Sequence, residues 1–414
     1  MLSLGFFFLP CSFSGASISF GLLAGFGLLS IFFRKKWSLQ TISGPAWGLT
    51  GLLLLFLLGM SYTEDIALAW KRFLILLPVG VVPLIGASQG SLTPRQQRQI
   101  AWAFIAGCLL SISLCLSYAL WQDLQEGFST RHYHYANLTQ YWSFHPHYLS
   151  FFLMQAITLL GWMWWEDFRA SNKKPSWLLL GLIGFLTLFM VILAARMVLL
   201  LFAGFSVGAL LYLSYRIGQW KKGLLAVLLL GSLVTSFLLL NDTTRNRLAR
   251  LWESQSLMRE PSNQWDGGTV RLFVWQYSWQ KIQDEMPWGV GSGDVKQGLV
   301  DAYTEAGFTY GVERTLNSHN QYLETSLGLG IGGILYLLGL IGYGVWWGIK
   351  NHKPLFVLFW SLFFLACISE VMLNRVWGTY GLAYFTAFLA YSLSDRSVQS
   401  SYRAPDSEKE SAPG

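Results

Sequence analysis

"LNSHNQYLETSLGLGIGG", residues 316–333, sets one histidine, His319, between a polar loop and a long apolar run. An imidazole there can take a proton near neutrality, because its ordinary pKa is about 6.5. By position alone it reads first as an interfacial histidine capping a helix. Arg196 is alone in "LFMVILAARMVLLLF". A charge that close to hydrocarbon is costly and is usually paired or functional, although an arginine can also snorkel to headgroups. Arg271 opens "RLFVWQYSWQKIQDE" on the same helical face as Trp275 and Trp279. Guanidinium groups keep their charge and can make two parallel hydrogen bonds. Arg375, in "NRVWG", is a further candidate.

Four of the six histidines fall in "RHYHYANLTQYWSFHPHYLS", residues 131–150. The pairs His132/His134 and His145/His147 have a spacing that metal sites use. No cysteine accompanies them, and Asp123 and Glu126 are poorly placed to complete a shell, so no metal is expected. "HPHY" reads better as a helix start, with Pro146 in the first turn and His145 and His147 lining a polar cavity. "PWGVGSGD", residues 287–294, packs three glycines into eight positions. Such a run can turn backbone N–H groups inward as an anion nest, and ordinary turns use the same residues.

The elements that carry these residues are membrane helices. The 414 residues are 53% hydrophobic and only 12% charged, with a mean hydropathy of +0.42. Soluble domains carry about 25% charged residues. Apolar runs of about twenty residues recur, and the short alternating segments of a β-barrel do not. The fold class is therefore all-α polytopic. The expected spans are 2–13, 15–33, 45–60, 72–88, 100–121, 146–165, 176–194, 197–215, 223–240, 321–348, 354–373 and 376–394. Residues 1–240 then hold helices one to nine, 241–320 form one large outer loop, 321–394 hold helices ten to twelve, and 395–414 are a disordered tail.

With a cytoplasmic N-terminus, inner connectors and tail collect 16 basic residues and the short outer connectors five. That asymmetry obeys the positive-inside rule and puts both termini in the cytoplasm. The net charge of +7 is dispersed in topology signals, which argues against a nucleic-acid partner. Within the loop, "RNRLARLWESQ" (245–255) has the spacing of an amphipathic surface helix. Cys11, Cys108, Cys115 and Cys367 all lie in apolar stretches and read as packing residues.

Several separated blocks together resemble one family. "RLFVWQYSWQKIQDEMPWGVGSGD" followed by "NSHNQYLETSLGLGIGGILYLLGL" is similar to the signature region of O-antigen ligases and Wzy-type polymerases. "HPHYLS" and "LAARMVLL" resemble two earlier landmarks. Ala195 stands where that family often has a serine before the arginine.

The resemblance implies a GT-C-type glycosyltransferase of the bacterial inner membrane with its active site on the periplasmic face. A glycan would pass from undecaprenyl diphosphate to a lipid A–core sugar in a ligase, to another lipid-linked repeat in a polymerase, or to a protein serine or threonine in a related protein O-oligosaccharyltransferase. It also implies roles: His319 as base, Arg196 and Arg271 on the donor diphosphate. Asn320, Glu324, His145, His147 and Arg375 are possible support. The chemistry is coherent. A leaving diphosphate needs a divalent metal or fixed cations, and the outer segments contain no D-x-D pair, so no metal or other cofactor is expected. Asn320 and Glu324, the latter about a turn and a half from His319, are candidates to orient the ring. A transporter is the rival from another class, and it lacks support because only Glu370 and Arg196 approach mid-span.

Overall fold

The computed structural model describes residues 1–34, 41–88, 90–140, 145–171, 176–216, 218–225, 227–229 and 267–392. Among these every regular element is a helix. Apart from one-turn helices, those before the long undescribed stretch include α1 (Leu2–Phe8), α2 (Phe13–Arg34), α3 (Gly44–Gly59), α4 (Ile66–Ser88), α5 (Pro94–Glu126), α6 (Pro146–Ser171), α7 (Trp177–Ile192) and α8 (Arg196–Arg216). After the undescribed stretch come α9 (Gly267–Asp284), α10 (Val295–Glu305), α11 (Thr309–Arg314), α12 (Gln321–Lys350), α13 (Pro354–Ala366) and α14 (Val376–Tyr391). Five helices, α2 to α5 and α12, are long and apolar enough to cross a membrane, and α7, α8 and α13 are shorter apolar helices. The amphipathic reading of 245–255, most of the 223–240 span and the tail from 395 lie outside the described residues.

Local signals explain where the helices depart from the expected spans. α4 starts at Ile66 because the Asp65 carboxylate accepts the Leu68 N–H at 2.8 Å as a cap. Lys71 and Arg72 therefore sit inside the helix, not in a connector. α5 starts at Pro94 because Thr93 and Gln96 form a reciprocal capping box with proline in the first turn. The segment 2–13, expected to be a first span, is mainly the seven-residue α1. At 1.5 Å per residue it is only about 10 Å long and cannot cross a roughly 30 Å hydrocarbon layer alone. It is instead wedged against α5 and α14, where Phe6 meets Phe104, Phe385 and Phe388 edge-on.

There are two apolar cores. The large one joins the spanning helices around Phe6, Phe104, Phe359, Phe363 and Trp360. α14 lies at its centre, with every residue from Gly378 to Tyr391 buried. Leu28, Phe32, Leu58, Leu188, Leu200 and Leu335 point outward, as lipid-facing side chains should. Between lipid-solvated helices the attraction is mainly close packing, because lipid tails are as apolar as leucine. The smaller core lies in α9 to α11 and the start of α12, with Val270, Phe273, Val274, Leu299, Tyr303 and Phe308. There, outside the bundle, burial from water stabilises by about 1.5–3 kcal/mol per large side chain.

The bundle has two unlike ends. At one, the Leu92 N–H donates to the Tyr391 carbonyl, Lys353 Nζ to the Ser392 carbonyl and Arg98 to Asp167. Arg98 and Lys353 are among the residues that the charge count assigns to the cytoplasmic side. The opposite end gathers the α3–α4 corner, residues 286–320 and the α13–α14 connector. Every candidate functional residue is at this second end.

Candidate active site

The block from His319 to Glu324 is a staple between the start of α12 and the α13–α14 connector. The Gln321 N–H donates to the Cys367 carbonyl at 2.8 Å, and its Oε1 accepts from the Leu373 N–H at 2.8 Å. Tyr322 donates its hydroxyl to the Phe364 carbonyl at 2.7 Å. Asn320 caps α12, its side chain accepting from the N–H groups of Tyr322 and Leu323. Glu324 is 4% exposed. It accepts from Ser318 Oγ and from Asn374 Nδ2, each at 2.7 Å.

His319 sits just before the cap, with φ of 45°. That left-handed conformation costs a non-glycine residue about 1–2 kcal/mol, and such strain clusters at functional sites. Its N–H donates to Asn317 Oδ1 at 3.1 Å. The ring turns its Nδ1 toward Glu370 Oε2, 3.8 Å away. That is an ion-pair distance and too long for a direct hydrogen bond. Glu370, in the connector after α13, is 5% exposed. Burial would raise its pKa, but the facing histidines, His319 first and then His147 and His145, outweigh it and hold the carboxyl at about 2. Asn320 and Glu324 thus shape the turn that carries His319, while the carboxylate facing the ring is Glu370.

Further residues converge here. α6 begins at Pro146, which brings His145 to the mouth and buries His147 and Tyr148. The charges of Arg271 and Arg375 both bear on His145, and that of Arg271 also reaches His147. Arg271 lies in the first turns of α9, half-buried, and Arg375 at the start of α14, exposed. Neither guanidinium has a protein carboxylate within salt-bridge distance among the described residues, whereas Arg98 and Lys281 do. The Nε2 of His147 and the hydroxyl of Tyr148 are likewise buried without a partner.

Arg196 is the first residue of α8, placed by a tight reversal in which Ala194 has φ of 48°. α8 packs on α6 and α13. Those helices lead at this same end to His147 and to Glu370. Arg196 therefore shares the end of the bundle, on a different element from the Arg271–Arg375 group. Ala195 occupies the cap position of α8, its carbonyl accepting from the Leu199 N–H. A serine there would cap the helix.

The glycine run does not form an anion nest. Its N–H groups are taken by protein acceptors: Val290 donates to the Leu327 carbonyl, Gly291 to Gly328, Ser292 to Gly59, and Gly293 to Thr63 Oγ1. α12 breaks at Gly330, with φ of 60°, and the Ile331 N–H donates to the Pro287 carbonyl. The loop thus takes over bonds that the broken helix gives up. Asp294 completes the docking by accepting from Thr63 Oγ1 and the N–H groups of Glu64 and Asp65 at 2.7–2.8 Å. Burial opposes its ionisation, and those three donors outweigh it, so its pKa is lowered. The upstream H-x-H histidine, His132, pairs with Asp123 at 2.7 Å, which also accepts from the Tyr133 hydroxyl.

Sequence reasoning missed Glu370 and Tyr148 as members of the site. A lone carboxylate in the apolar "ACISEVML" was the available signal.

Residues 171–338 match the family model described as O-antigen ligase, so the resemblance to the O-antigen ligase and Wzy superfamily holds. No curated protein matches the chain. The matched stretch contains Arg196, Arg271, His319, Asn320 and Glu324, while His145, His147, Glu370 and Arg375 lie outside it.

Proposed function

From an O-antigen ligase domain over residues 171–338, we propose that this chain is a glycosyltransferase that acts as an O-antigen ligase. It moves a glycan from undecaprenyl diphosphate to a sugar of lipid A–core on the periplasmic face of the inner membrane. The observation that carries this reading is the pairing of His319 with Glu370 at the end of the bundle that also holds Arg271 and Arg375, which have no carboxylate within salt-bridge distance among the described residues.

The reaction is a single displacement with inversion and without a metal. With Nδ1 facing Glu370, the free Nε2 of His319 takes the proton of the acceptor hydroxyl. That oxygen bonds to the anomeric carbon as the bond from this carbon to the phosphate oxygen breaks. The electron pair leaves on the diphosphate, where Arg196 and Arg271 stabilise it. Fixed donors of this kind are worth about 3–4 kcal/mol each. Glu370 orients the ring and balances the charge that it gains, as a carboxylate does for a catalytic histidine in acyl transfer.

The test is the glycan profile of cells in which His319→Ala replaces the native chain. A ligase variant leaves long carrier-linked chains unattached, and lipid A–core bears none. Single repeats attached to lipid A–core would instead identify a polymerase. A normal profile would remove the base role altogether.

A further inference from the structure

Arg375 has no role in the transfer as written, yet the fold fixes it in place with unusual care. The residue before it, Asn374, donates to Glu324 Oε1 at 2.7 Å, and Leu373 donates its N–H to Gln321 Oε1 at 2.8 Å. The other oxygen of Glu324 holds Ser318, the residue before His319. One buried carboxylate therefore sets both His319 and Arg375. On the other flank, Gly378 lies so close to the Met372 carbonyl that any Cβ would overlap it, which pins the connector onto the first turn of α14. The guanidinium so placed is exposed and has no hydrogen-bond or ion-pair partner among the described residues. Its charge acts on His145 and Tyr148, two side chains on which the charge of Glu370 also acts.

We infer that Arg375 is a phosphate-binding residue of this site, held in register with His319 by the Ser318–Glu324–Asn374 strut. An unsatisfied guanidinium carried on an anchored backbone is poised for a phosphate, because its planar fork makes two parallel charged hydrogen bonds. The phosphate belongs either to the departing lipid diphosphate or to a phosphorylated acceptor. The inference rests on the proposed transfer reaction for its location, and its test separates the two.

The purified full-length protein in detergent is titrated with farnesyl diphosphate, a lipid diphosphate that carries no sugar to transfer, and glycan transfer is assayed in parallel. Arg375→Gln is expected to weaken farnesyl diphosphate binding at least tenfold, and Arg375→Lys less. Asn374→Ala is expected to weaken it as well, although the guanidinium remains. Thermal melts screen out unfolded variants. Unchanged diphosphate binding in Arg375→Gln, with a raised KM only for an acceptor bearing phosphate, assigns the anion to the acceptor and supports the residue's role. Unchanged binding and unchanged KM for both substrates overturn the inference while leaving the transferase reading intact. Conversely, Arg375-dependent diphosphate binding in a wild-type protein that transfers no glycan sinks the transferase reading and leaves the site standing.

Discussion

His319 and Arg271 illustrate how chemistry at the residue scale depends on the type of charge. A lysine at 271 keeps the positive charge but loses the fork, so Arg271→Lys should cut transfer by about one to two orders of magnitude, where a bidentate pair is replaced by a point charge. Transfer at the wild-type rate would exclude phosphate clamping by that residue. Glu370 acts by a different route. Its Glu370→Gln variant should lower the rate by roughly 10²-fold, the lower end of what positioned acid–base chemistry contributes, while donor binding stays near normal. The sign of its pH dependence follows from a carboxyl held at about 2, below its ordinary 4.5. The stability that its charge gives is fully present above 4.5 and is lost as the pH falls toward 2. The melting-temperature gap between wild type and Glu370→Gln should therefore persist at pH 5 and close only in more acid solution. A gap that closes between pH 7 and 5 would mean that the carboxylate is not held in this way. The sequence displayed His319 through its motif but hid this partner, since Glu370 is 51 positions later on another element (370 − 319).

At the scale of elements, the question is what keeps the outer segment over the bundle. Its own core is small, and the docking depends on backbone exchanges at the Gly330 break and on Asp294. Gly330→Ala puts a Cβ where φ is 60° and into the Pro287 carbonyl. With ψ of −155° that conformation is one that essentially only glycine adopts, and it costs another residue about 1–3 kcal/mol. Asp294→Ala strips three donors of their acceptor, and each polar group left unpaired costs about 1–3 kcal/mol where it is buried. Both variants should expose residues 286–320 to limited proteolysis in detergent and reduce transfer, with the spanning helices still intact. Protection equal to wild type would show that the segment is held elsewhere. At α8, Ala195→Ser should act in the opposite direction, raising stability by about 0.5–2 kcal/mol through a restored cap. The glycine run shows why pattern reading stops short here. "GVGSGD" announces a special backbone, but an anion nest and a docked loop both need that freedom. Which of them occurs depends on a helix break that begins 39 residues after Val290 is reached, at Leu329–Gly330 (329 − 290).

Across the whole molecule, the opposed ends make the topology a physical claim about charge. The sequence made the membrane class and the positions of most long helices legible, because hydropathy is additive along the chain. It could not tell that 2–13 forms only a short wedge. That outcome depends on α5 and α14 accepting Phe6 between their aromatic rings, a tertiary fit with no local signature. It also could not tell which separated polar residues would approach each other, as His319 and Glu370 do. The orientation proposed from the basic-residue asymmetry can be tested directly. All four native cysteines are buried, so the background for thiol labelling is low. Ser61 is exposed at the end that holds His319, and Arg95 is exposed at the other. In intact spheroplasts, a membrane-impermeant maleimide should label Ser61→Cys and spare Arg95→Cys until the membrane is opened. The reverse pattern would put the arginines and His319 on the cytoplasmic face, out of reach of a periplasmic donor. Labelling of both sites in sealed cells would mean that the two ends are not separated by the bilayer, and the charge argument would then fail with the transferase mechanism built on it.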